Sequence, residues 1–324
     1  MSRSAPEVVH VGSASRDITA EDPRGWRLGG GVTYAALTTA RLGLRTAAII
    51  GVDAIASTAT ELDMLADAGV DLRLVELAEA PVFENVETPA GRIQTCHLPG
   101  VPLPIPVVPE AWLAARAWSL VPVAGELEAS WAAIVPAASY VVVGWQGMLR
   151  ELAPGARVRR RLPTPSPLVA RANLIGVSRY DIAPGTSLAG LATFLRPGAD
   201  LLVTEGGNGG LLVHVGDDGR PTGILRYRPT ATDRETDPTG AGDTFLAALL
   251  ASVLRPAIVG RSRSRRSPDL RFAAAAGSLA VEGPGLSAVP DRAAVLVRRA
   301  RERIRRAVVP SEETQVGSVG PTEG

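Results

Sequence analysis

The fold is decided by the stretch Asp237-Pro238-Thr239-Gly240-Ala241-Gly242-Asp243-Thr244-Phe245, which runs into the apolar residues 246–254. Its glycines allow positive φ, so the backbone can turn several N–H groups toward one point. A helix that begins after such a turn adds partial positive charge and unpaired donors, which together make an anion site. Asp243 then lies in the first helical turn, either as a capping acid or as a base for an attacking hydroxyl.

The composition sets broad limits on the function. The chain has 324 residues, a formal net charge of +1 and one cysteine. It can therefore form one large α/β domain or two small ones, and no global field favours nucleic acid or membrane partners. Every basic residue is Arg, which excludes mechanisms that need a Walker lysine or a Schiff base. Because the N-terminus lacks an apolar signal segment and no disulfide can form within the chain, we expect a cytoplasmic protein.

Apolar strand-like runs alternate with helical patterns along most of the chain. This alternation predicts an α/β fold with a mainly parallel sheet and helices on both faces. Residues 81–88 and 92–98 instead alternate polar and apolar side chains around Pro89-Ala90-Gly91, which predicts a β-hairpin. The Arg/Ser-rich segment 255–268 is more typical of a solvated loop than of a nucleic-acid site.

Two more signals lie near the N-terminus. A strand-like run over residues 8–12 is followed by a polar turn that contains Asp17, at the end of a strand where α/β sheets place their sites. Gly29-Gly30-Gly31 opens a small-residue helix that ends at Gly43. Each signal has a structural alternative, because Asp17 could cap its own turn and the glycines could permit close packing of helix on sheet.

In their order along the chain, these motifs resemble those of the ribokinase-like (PfkB-type) carbohydrate and nucleoside kinase family. DPTGAGD is similar to the C-terminal signature of that family, and the Gly29–Gly43 segment to its first signature. The resemblance implies a three-layer αβα sandwich, formed by one domain over residues 7–308. It further implies a small β-lid built from elements near 24–29 and 81–98. The composition of the ends predicts disordered tails at 1–6 and 309–324.

The resemblance also implies an activity, which is ATP-dependent phosphorylation of a hydroxyl on a sugar, nucleoside or related polyol. ATP and Mg²⁺ are the implied cofactors, joined in some members by a monovalent cation such as K⁺. A small-molecule acceptor is the expected partner. An exposed lid sheet could also pair two copies into a homodimer, so the oligomeric state stays open.

Site residues follow from the resemblance, position by position. The implied catalytic residues are Asp243 as the base, with Gly240, Ala241 and Gly242 as the anion hole. The implied acceptor-binding residues are Asp17, Gly29, Gly30, Tyr34, Asn85, Arg92, Gln94 and Gln146. The implied donor-binding residues are Thr204, Gly206, Gly209, Asp237, Thr239, Gly277 and Ser278. Asp181 is the implied metal residue.

Three positions depart from the family pattern. Tyr34 stands where many family members have Asn. Ser178 and Asp181 stand where the family has the Asn and the Glu of an Asn-x-x-Glu motif. These changes motivate a second hypothesis, a binding protein of the same fold that has lost efficient phosphoryl transfer. A dinucleotide-dependent oxidoreductase is excluded, because Gly240-Ala241-Gly242 lacks the third glycine of that fingerprint. Several assignments keep a structural alternative: a solvated hairpin face at 81–98, a turn cap at Gln146 and a simple hairpin turn at 206–209.

Overall fold

The structure, a computed structural model, describes residues 5–88, 91–260 and 268–308, with the backbone alone at 87, 91 and 303–308. The tail predicted over 309–324, residues 1–4 and residues 261–267 of the Arg/Ser-rich segment lie outside the described residues. Within the described residues, no helix is both long and apolar enough to cross a membrane.

Strands and helices alternate along the chain. The strands are β1 (Val8–Ser13), β2 (Ser15–Ile18), β3 (Trp26–Gly29), β4 (Thr46–Val52), β5 (Asp71–Glu76), β6 (Val82–Thr88), β7 (Gly91–Leu98), β8 (Ala117–Leu120), β9 (Tyr140–Gly144), β10 (Arg150–Glu151), β11 (Ala156–Arg157), β12 (Arg159–Arg160), β13 (Leu174–Ser178), β14 (Asp200–Thr204), β15 (Gly210–Val215) and β16 (Pro221–Tyr227). The helices are α1 (Gly31–Arg41), α2 (Thr60–Asp67), α3 (Glu110–Leu113), α4 (Trp131–Ile134), α5 (Pro167–Arg171), α6 (Leu188–Ala192), α7 (Ala241–Leu254), α8 (Leu270–Ala280) and α9 (Arg292–Val308).

The larger sheet has nine strands in the order β16-β15-β14-β13-β9-β8-β1-β4-β5. Seven of them, from β14 to β5, pair in parallel, and β15 and β16 add an antiparallel edge. β1 and β4 are buried along their whole length, as expected for parallel strands covered on both faces. The predicted α/β fold with a mainly parallel sheet is confirmed. The edge strand β16 has no counterpart among the strand-like runs of the sequence.

Helices cover both faces of this sheet and form three layers. On one face, Val8 and Leu202 pack against Leu249 of α7, with α1, α2, α8 and α9 beside it. On the other face, Val9 and Leu201 belong to the same cluster as Trp131 of α4, together with α3, α5 and α6. α7 is buried around its circumference from residue 244 onward because it lies between α1 and α8.

A second sheet, of five strands in the order β11-β7-β6-β2-β3, contains both segments predicted to form a lid. Asp17 lies on β2 and not in the turn that the sequence indicated, because this short segment pairs with both β3 and β6. The register places Arg27 and Phe83 beside Asp17 on the same face. That face looks toward the carboxyl ends of the parallel strands, since the Phe83 ring lies 5.7 Å from the Arg150 guanidinium carbon.

Candidate active site

Two carboxylates lie on either side of the Gly29-Gly30-Gly31 backbone. A Cβ at Gly29 would lie 2.2 Å from Asp17 Oδ2, and a Cβ at Gly31 would lie 2.8 Å from Asp243 Oδ1. Gly30 has φ +97°, and a Cβ there would lie 2.6 Å from the Ser13 carbonyl oxygen. The three glycines therefore form a floor without side chains, bounded by Asp17 on one side and Asp243 on the other. The structure thus brings together the two acids that the sequence singled out.

Both carboxylates have pKa values well above the ordinary range. Burial is the main cause and raises the pKa of Asp17 to about 6. A hydrogen bond from Ser15 Oγ at 2.9 Å lowers this pKa, and the charge of Asp237 raises it further. Burial likewise raises the pKa of Asp243 to about 6, opposed by Arg150 and assisted by the charges of Asp181 and Asp17. An acid with a pKa near 6 is ionised at neutral pH and is still basic enough to accept a proton.

Arg150 is a buried cation at the centre of this group, and no sequence motif marked it. Its side chain is 7% exposed, and Nη2 lies 3.7 Å from Asp181 Oδ1. Nη1 donates to the Val123 carbonyl at 3.2 Å, while Nε has no hydrogen-bond partner. Burial lowers the pKa of Arg150, whereas Asp181, Asp243 and Asp17 raise it. Because an arginine stays protonated in proteins, Arg150 provides a fixed positive charge shared by three carboxylates.

Asp181, the predicted metal residue, lies beside Gln146, a predicted acceptor contact. Gln146 Nε2 donates to the two Asp181 carboxylate oxygens at 3.2 and 3.4 Å. Ser178 Oγ accepts the Tyr180 amide at 3.2 Å. One carboxylate completed by phosphate oxygens and water is a ligand set that Mg²⁺ uses, so Asp181 fits an ion held mainly by a phosphate donor. No cluster of three or more His, Cys, Asp or Glu side chains suited to a metal occurs in the described part of the chain.

The glycine-rich turn has the geometry of a helix N-terminal anion site. Gly240 is the N-cap of α7 with φ +75°, and no side chain caps this helix. Gly242 is exposed, and a Cβ there would meet nothing within 4 Å. Ala241 begins the helix, and Asp243 is the acid of its first turn. The Ala241 amide donates to the Pro238 carbonyl at 3.3 Å within this turn, whereas the exposed backbone at Gly242 opens onto space that an anion could occupy.

Tyr34 is buried beside the glycine turn, and the charges of Asp17, Asp237 and Asp243 all act on its phenol group, so its contact with an acceptor stays a prediction. The residue is 2% exposed, and a Cβ at Gly240 would lie 2.2 Å from two atoms of its ring. The ring thus supports the back of the glycine turn. The sequence shows an aromatic residue where the family pattern has Asn, but it could not show that the glycine turn would cover the ring.

Asp237 has structural partners that were not predicted. Its Oδ1 accepts the Thr239 amide at 2.9 Å, and its Oδ2 accepts the Gly285 amide at 3.2 Å. The guanidinium of Arg27, from β3, lies 3.7 Å from Oδ2. In the adjoining loop, Glu282 forms a bidentate pair with Arg298 at 2.8 and 2.9 Å. The acids of both loops are thus paired with arginines.

The hairpin of β6 and β7 presents its predicted polar residues on the face that carries Asp17. Asn85 pairs with Gln94 in the register, and Gln94 Nε2 donates to Asn85 Oδ1 at 2.9 Å. Arg92 is exposed, and its charge lowers the pKa of Asp17. These three side chains remain candidates for acceptor contacts at the rim of the cleft.

The predicted donor residues fall into two groups. Thr204 ends β14 next to Ser178 of β13, and the following turn has positive φ at Gly206 (+56°) and Gly209 (+83°). Gly277 packs on the first turn of α7, where a Cβ would lie 3.4 Å from the Ala241 carbonyl oxygen. Ser278 is 9% exposed and donates to the Ala275 carbonyl at 2.9 Å. Helix packing therefore accounts for Gly277 and Ser278 without a bound nucleotide.

A second residue without a sequence signal is Glu126. Its buried carboxylate accepts the amides of Ser13 at 2.8 Å, Ala124 at 2.9 Å and Val123 at 3.2 Å. Burial raises its pKa, although the three amides favour the ionised form. These bonds fix the loop after β8 against the end of β1. The same loop supplies the carbonyl that Arg150 contacts.

A cavity near the strands lies away from these residues. It has a volume of about 620 Å³, and its walls include Val141 and Asn173 at the start of β9 and β13, with Arg171 and Arg196. Because it opens at the amino ends of parallel strands, it lies opposite the edge where α/β folds bind ligands. We therefore place the candidate active site in the cleft between the two sheets.

A family model matches part of the sequence. A sequence model described as the pfkB family carbohydrate kinase matches residues 187–292, which include the glycine-rich turn. No protein of curated function matches the sequence.

Solved structures share the fold over most of the chain. A pyrophosphate-dependent kinase in the ribokinase family, complexed with a pyrophosphate analogue and myo-inositol, is 20% identical; the match covers 86% of this chain and 96% of that one, with a TM-score of 0.63. The nucleoside kinase of Methanocaldococcus jannaschii is 15% identical over 92% and 100% of the two chains, with a TM-score of 0.65. The ribokinase of Arabidopsis thaliana, complexed with ribose and ATP, is 20% identical over 91% and 99%, with a TM-score of 0.61. The family model and the shared fold together confirm the predicted resemblance to the ribokinase-like (PfkB-type) kinases.

Proposed function

We propose that this protein transfers a phosphoryl group from ATP to a hydroxyl of a sugar, nucleoside or related polyol. The observation that carries the proposal is the pair of acids, Asp17 and Asp243, on either side of the Gly29–Gly31 floor, with the α7 N-terminus beside Asp243. A small polyhydroxylated ring fits such a floor because its hydroxyls can bond to carboxylates while its face contacts bare backbone. An anion site next to a base suits phosphoryl transfer, which depends mainly on positioning and charge stabilisation.

Each residue then has a stated role. Asp17 accepts hydrogen bonds from acceptor hydroxyls and orients the ring, while Asp243 accepts the proton of the attacking hydroxyl. The amides of Gly240, Ala241 and Gly242 stabilise the charge on the transferring group. Arg150 neutralises the carboxylates and offers its guanidinium to the same group. Mg²⁺, held by donor phosphates and Asp181, would neutralise charge on the donor.

The phosphate donor needs its own test. ATP is the donor that the family resemblance implies, and a structurally similar ribokinase is complexed with ATP. Pyrophosphate is a second candidate, because Ser278, a predicted nucleotide contact, is buried and bonded within α8, and because a similar kinase is pyrophosphate-dependent. A non-catalytic binding protein is the alternative that the changes at Tyr34, Ser178 and Asp181 suggest. The buried Tyr34 weakens that alternative, because its ring supports the anion site.

The experiment is a panel of acceptors combined with both donors. Ribose, other sugars, nucleosides and myo-inositol are each incubated with Mg²⁺ and either ATP or pyrophosphate, and phosphorylated products are detected by mass spectrometry. The proposal predicts one acceptor class with turnover on the scale of ordinary kinases, about 1–100 s⁻¹. Binding of an acceptor without any product, from either donor, would favour the binding protein instead.

A further inference from the structure

Arg27 joins the five-stranded sheet to the turn that precedes α7. It lies on β3, and its Nη1 is 3.7 Å from Asp237 Oδ2, while its Nη2 lies 2.9 Å from Glu21 Oε2. The side chains of Arg27 and Asp237 are only 19% and 20% exposed. An ion pair so shielded is screened less by salt than a surface pair.

The carboxylate of Asp237 holds two loops in register. It accepts the amide of Thr239 within its own turn and the amide of Gly285 from the loop after α8. The turn continues directly into Gly240, whose left-handed conformation starts α7 and sets the direction of the backbone at Gly242. A shift of Asp237 would therefore move the anion site.

This carboxylate lies in a region of high negative charge. The charges of both Asp237 and Asp243 act on Tyr34, and the charge of Asp237 also acts on Asp17. Arg27 supplies positive charge here from a different sheet, and its Cδ lies 3.5 Å from the position of a Cβ at Gly285. Arg27 thus lies across the loop that carries the Gly285 amide. It faces the Asp237 carboxylate, which accepts the amides of Thr239 and Gly285.

A monovalent cation at this place would have to compete with that guanidinium. It would need free oxygen ligands, whereas Asp237 already accepts two amides and pairs with Arg27. Glu282 of the adjoining loop is paired with Arg298 and accepts the Asp233 amide at 2.7 Å. The acidic oxygens of both loops are therefore committed to groups of the protein itself.

We propose that Arg27 is a positioning residue that acts as a built-in counter-ion for Asp237, so that phosphoryl transfer requires no monovalent cation. The inference rests on the proposed function for its kinetic part. Its other part, the indifference of the folded protein to K⁺, can be measured without any activity.

The test compares wild type, Arg27→Gln and Arg27→Lys in KCl and in tetramethylammonium chloride at equal ionic strength. The wild type should show the same kcat and melting temperature in both salts. Arg27→Gln should lose about tenfold in kcat in the tetramethylammonium salt, because small displacements of reacting groups are amplified in the rate. KCl should restore part of that loss and raise the melting temperature of this variant. Arg27→Lys should keep most of the wild-type kcat in both salts.

The control is Arg116→Gln, which removes another arginine that lies 3.7 Å from a carboxylate, here Glu7. It should change neither kcat nor the response to K⁺. Stimulation of the wild type by KCl of more than about fivefold in kcat, or a clear rise in its melting temperature, would overturn the inference. An Arg27→Gln variant identical to wild type in both salts would overturn it too. A wild type that transfers no phosphate to any acceptor refutes the proposed function instead, and the melting temperatures then decide on the counter-ion.

Discussion

The charge of Arg150 gives the most informative perturbation of the cleft. Its guanidinium lies 3.7 Å from Asp181 and also acts on Asp243 and Asp17. At an effective dielectric constant of about 20, one such pair at 4 Å has an attraction of roughly 4 kcal/mol. Replacing Arg150 with Gln removes this attraction and leaves three carboxylates facing one another. Loss of one partner of a buried ion pair destabilises a protein by about 3–5 kcal/mol, so the variant should melt at a lower temperature.

Two kinetic effects should accompany the loss of stability. If the guanidinium contacts the transferring group, its removal should lower kcat by about 10²–10³-fold, as for other preorganised donors. Arg150 also lowers the pKa of Asp243, which is about 6. Without it that pKa rises, so the acidic limb of the kcat/KM profile should move to higher pH by about one unit.

The assay is a steady-state pH profile of the folded fraction, with Arg150→Lys as the variant that keeps the charge. Arg150→Lys should keep the acidic limb of the kcat/KM profile at its wild-type pH because it keeps the positive charge. It should lose part of kcat because an ammonium lacks the planar fork of donors of a guanidinium. The control is Arg171→Gln, which removes an arginine bonded to the carbonyls of Ala132, Val135 and Pro136 at the far side of the sheet. An Arg150→Gln variant with an unshifted acidic limb and a kcat within about threefold of wild type would refute this reasoning.

Three further predictions concern the base and its support. Gly31→Ala places a methyl 2.8 Å from Asp243 Oδ1 and should lower kcat by about a hundredfold. The control Gly223→Ala, whose Cβ would have its nearest neighbour at 3.9 Å, should leave kcat unchanged. Equal kcat values for the two variants would contradict this prediction. The wild-type kcat/KM should rise with pH through about 6, where Asp243 ionises, and level off above it; an acidic limb near pH 4 would count against Asp243 as the base. Tyr34→Phe should keep the wild-type kcat because only the ring packs on Gly240. Tyr34→Ala should lower both kcat and the melting temperature because it leaves a cavity of ring size. A fully active Tyr34→Ala variant would exclude a supporting role for the ring.

Local motifs made much of this structure predictable. The glycine turn with Asp243, and the Gly29–Gly31 segment, depend on backbone freedom and helix starts that are visible within ten residues. The mainly parallel sheet follows from apolar runs that alternate with helical patterns, and the structure confirms it. The short strand β2 was not predictable in the same way, because four residues with mixed polarity become a strand only through pairing with β3 and β6.

Long-range partners account for what the sequence did not reveal. Arg150 contacts Val123 and Asp181, which lie 27 and 31 positions away, and Glu126 binds Ser13 across 113 positions. Neither residue belongs to a local pattern, so only the folded chain shows that each is buried and bonded. Tyr34 shows the converse, because its position in a motif was visible while the direction of its ring was not.

In the proposed function, Asp243 is a catalytic base and not a cap of α7. Burial raises the pKa of Asp243 from 3.8 to about 6, so stability falls as the pH rises from about 4 to about 6, and the full cost of ionising this buried acid is present above that range. Asp243→Asn should therefore lower kcat by about 10²–10⁴-fold while leaving the melting temperature at pH 8 equal to or above that of wild type.

The matched control is Asp269→Asn, at a true N-cap whose carboxylate accepts the Phe272 amide at 3.1 Å. This variant should melt at a lower temperature and keep kcat per folded molecule. The most direct measurement is thus the kcat and melting temperature of Asp243→Asn beside wild type. The account predicts lost turnover in a protein at least as stable, and a variant that still turns over within about threefold, or that melts far below wild type, would contradict it.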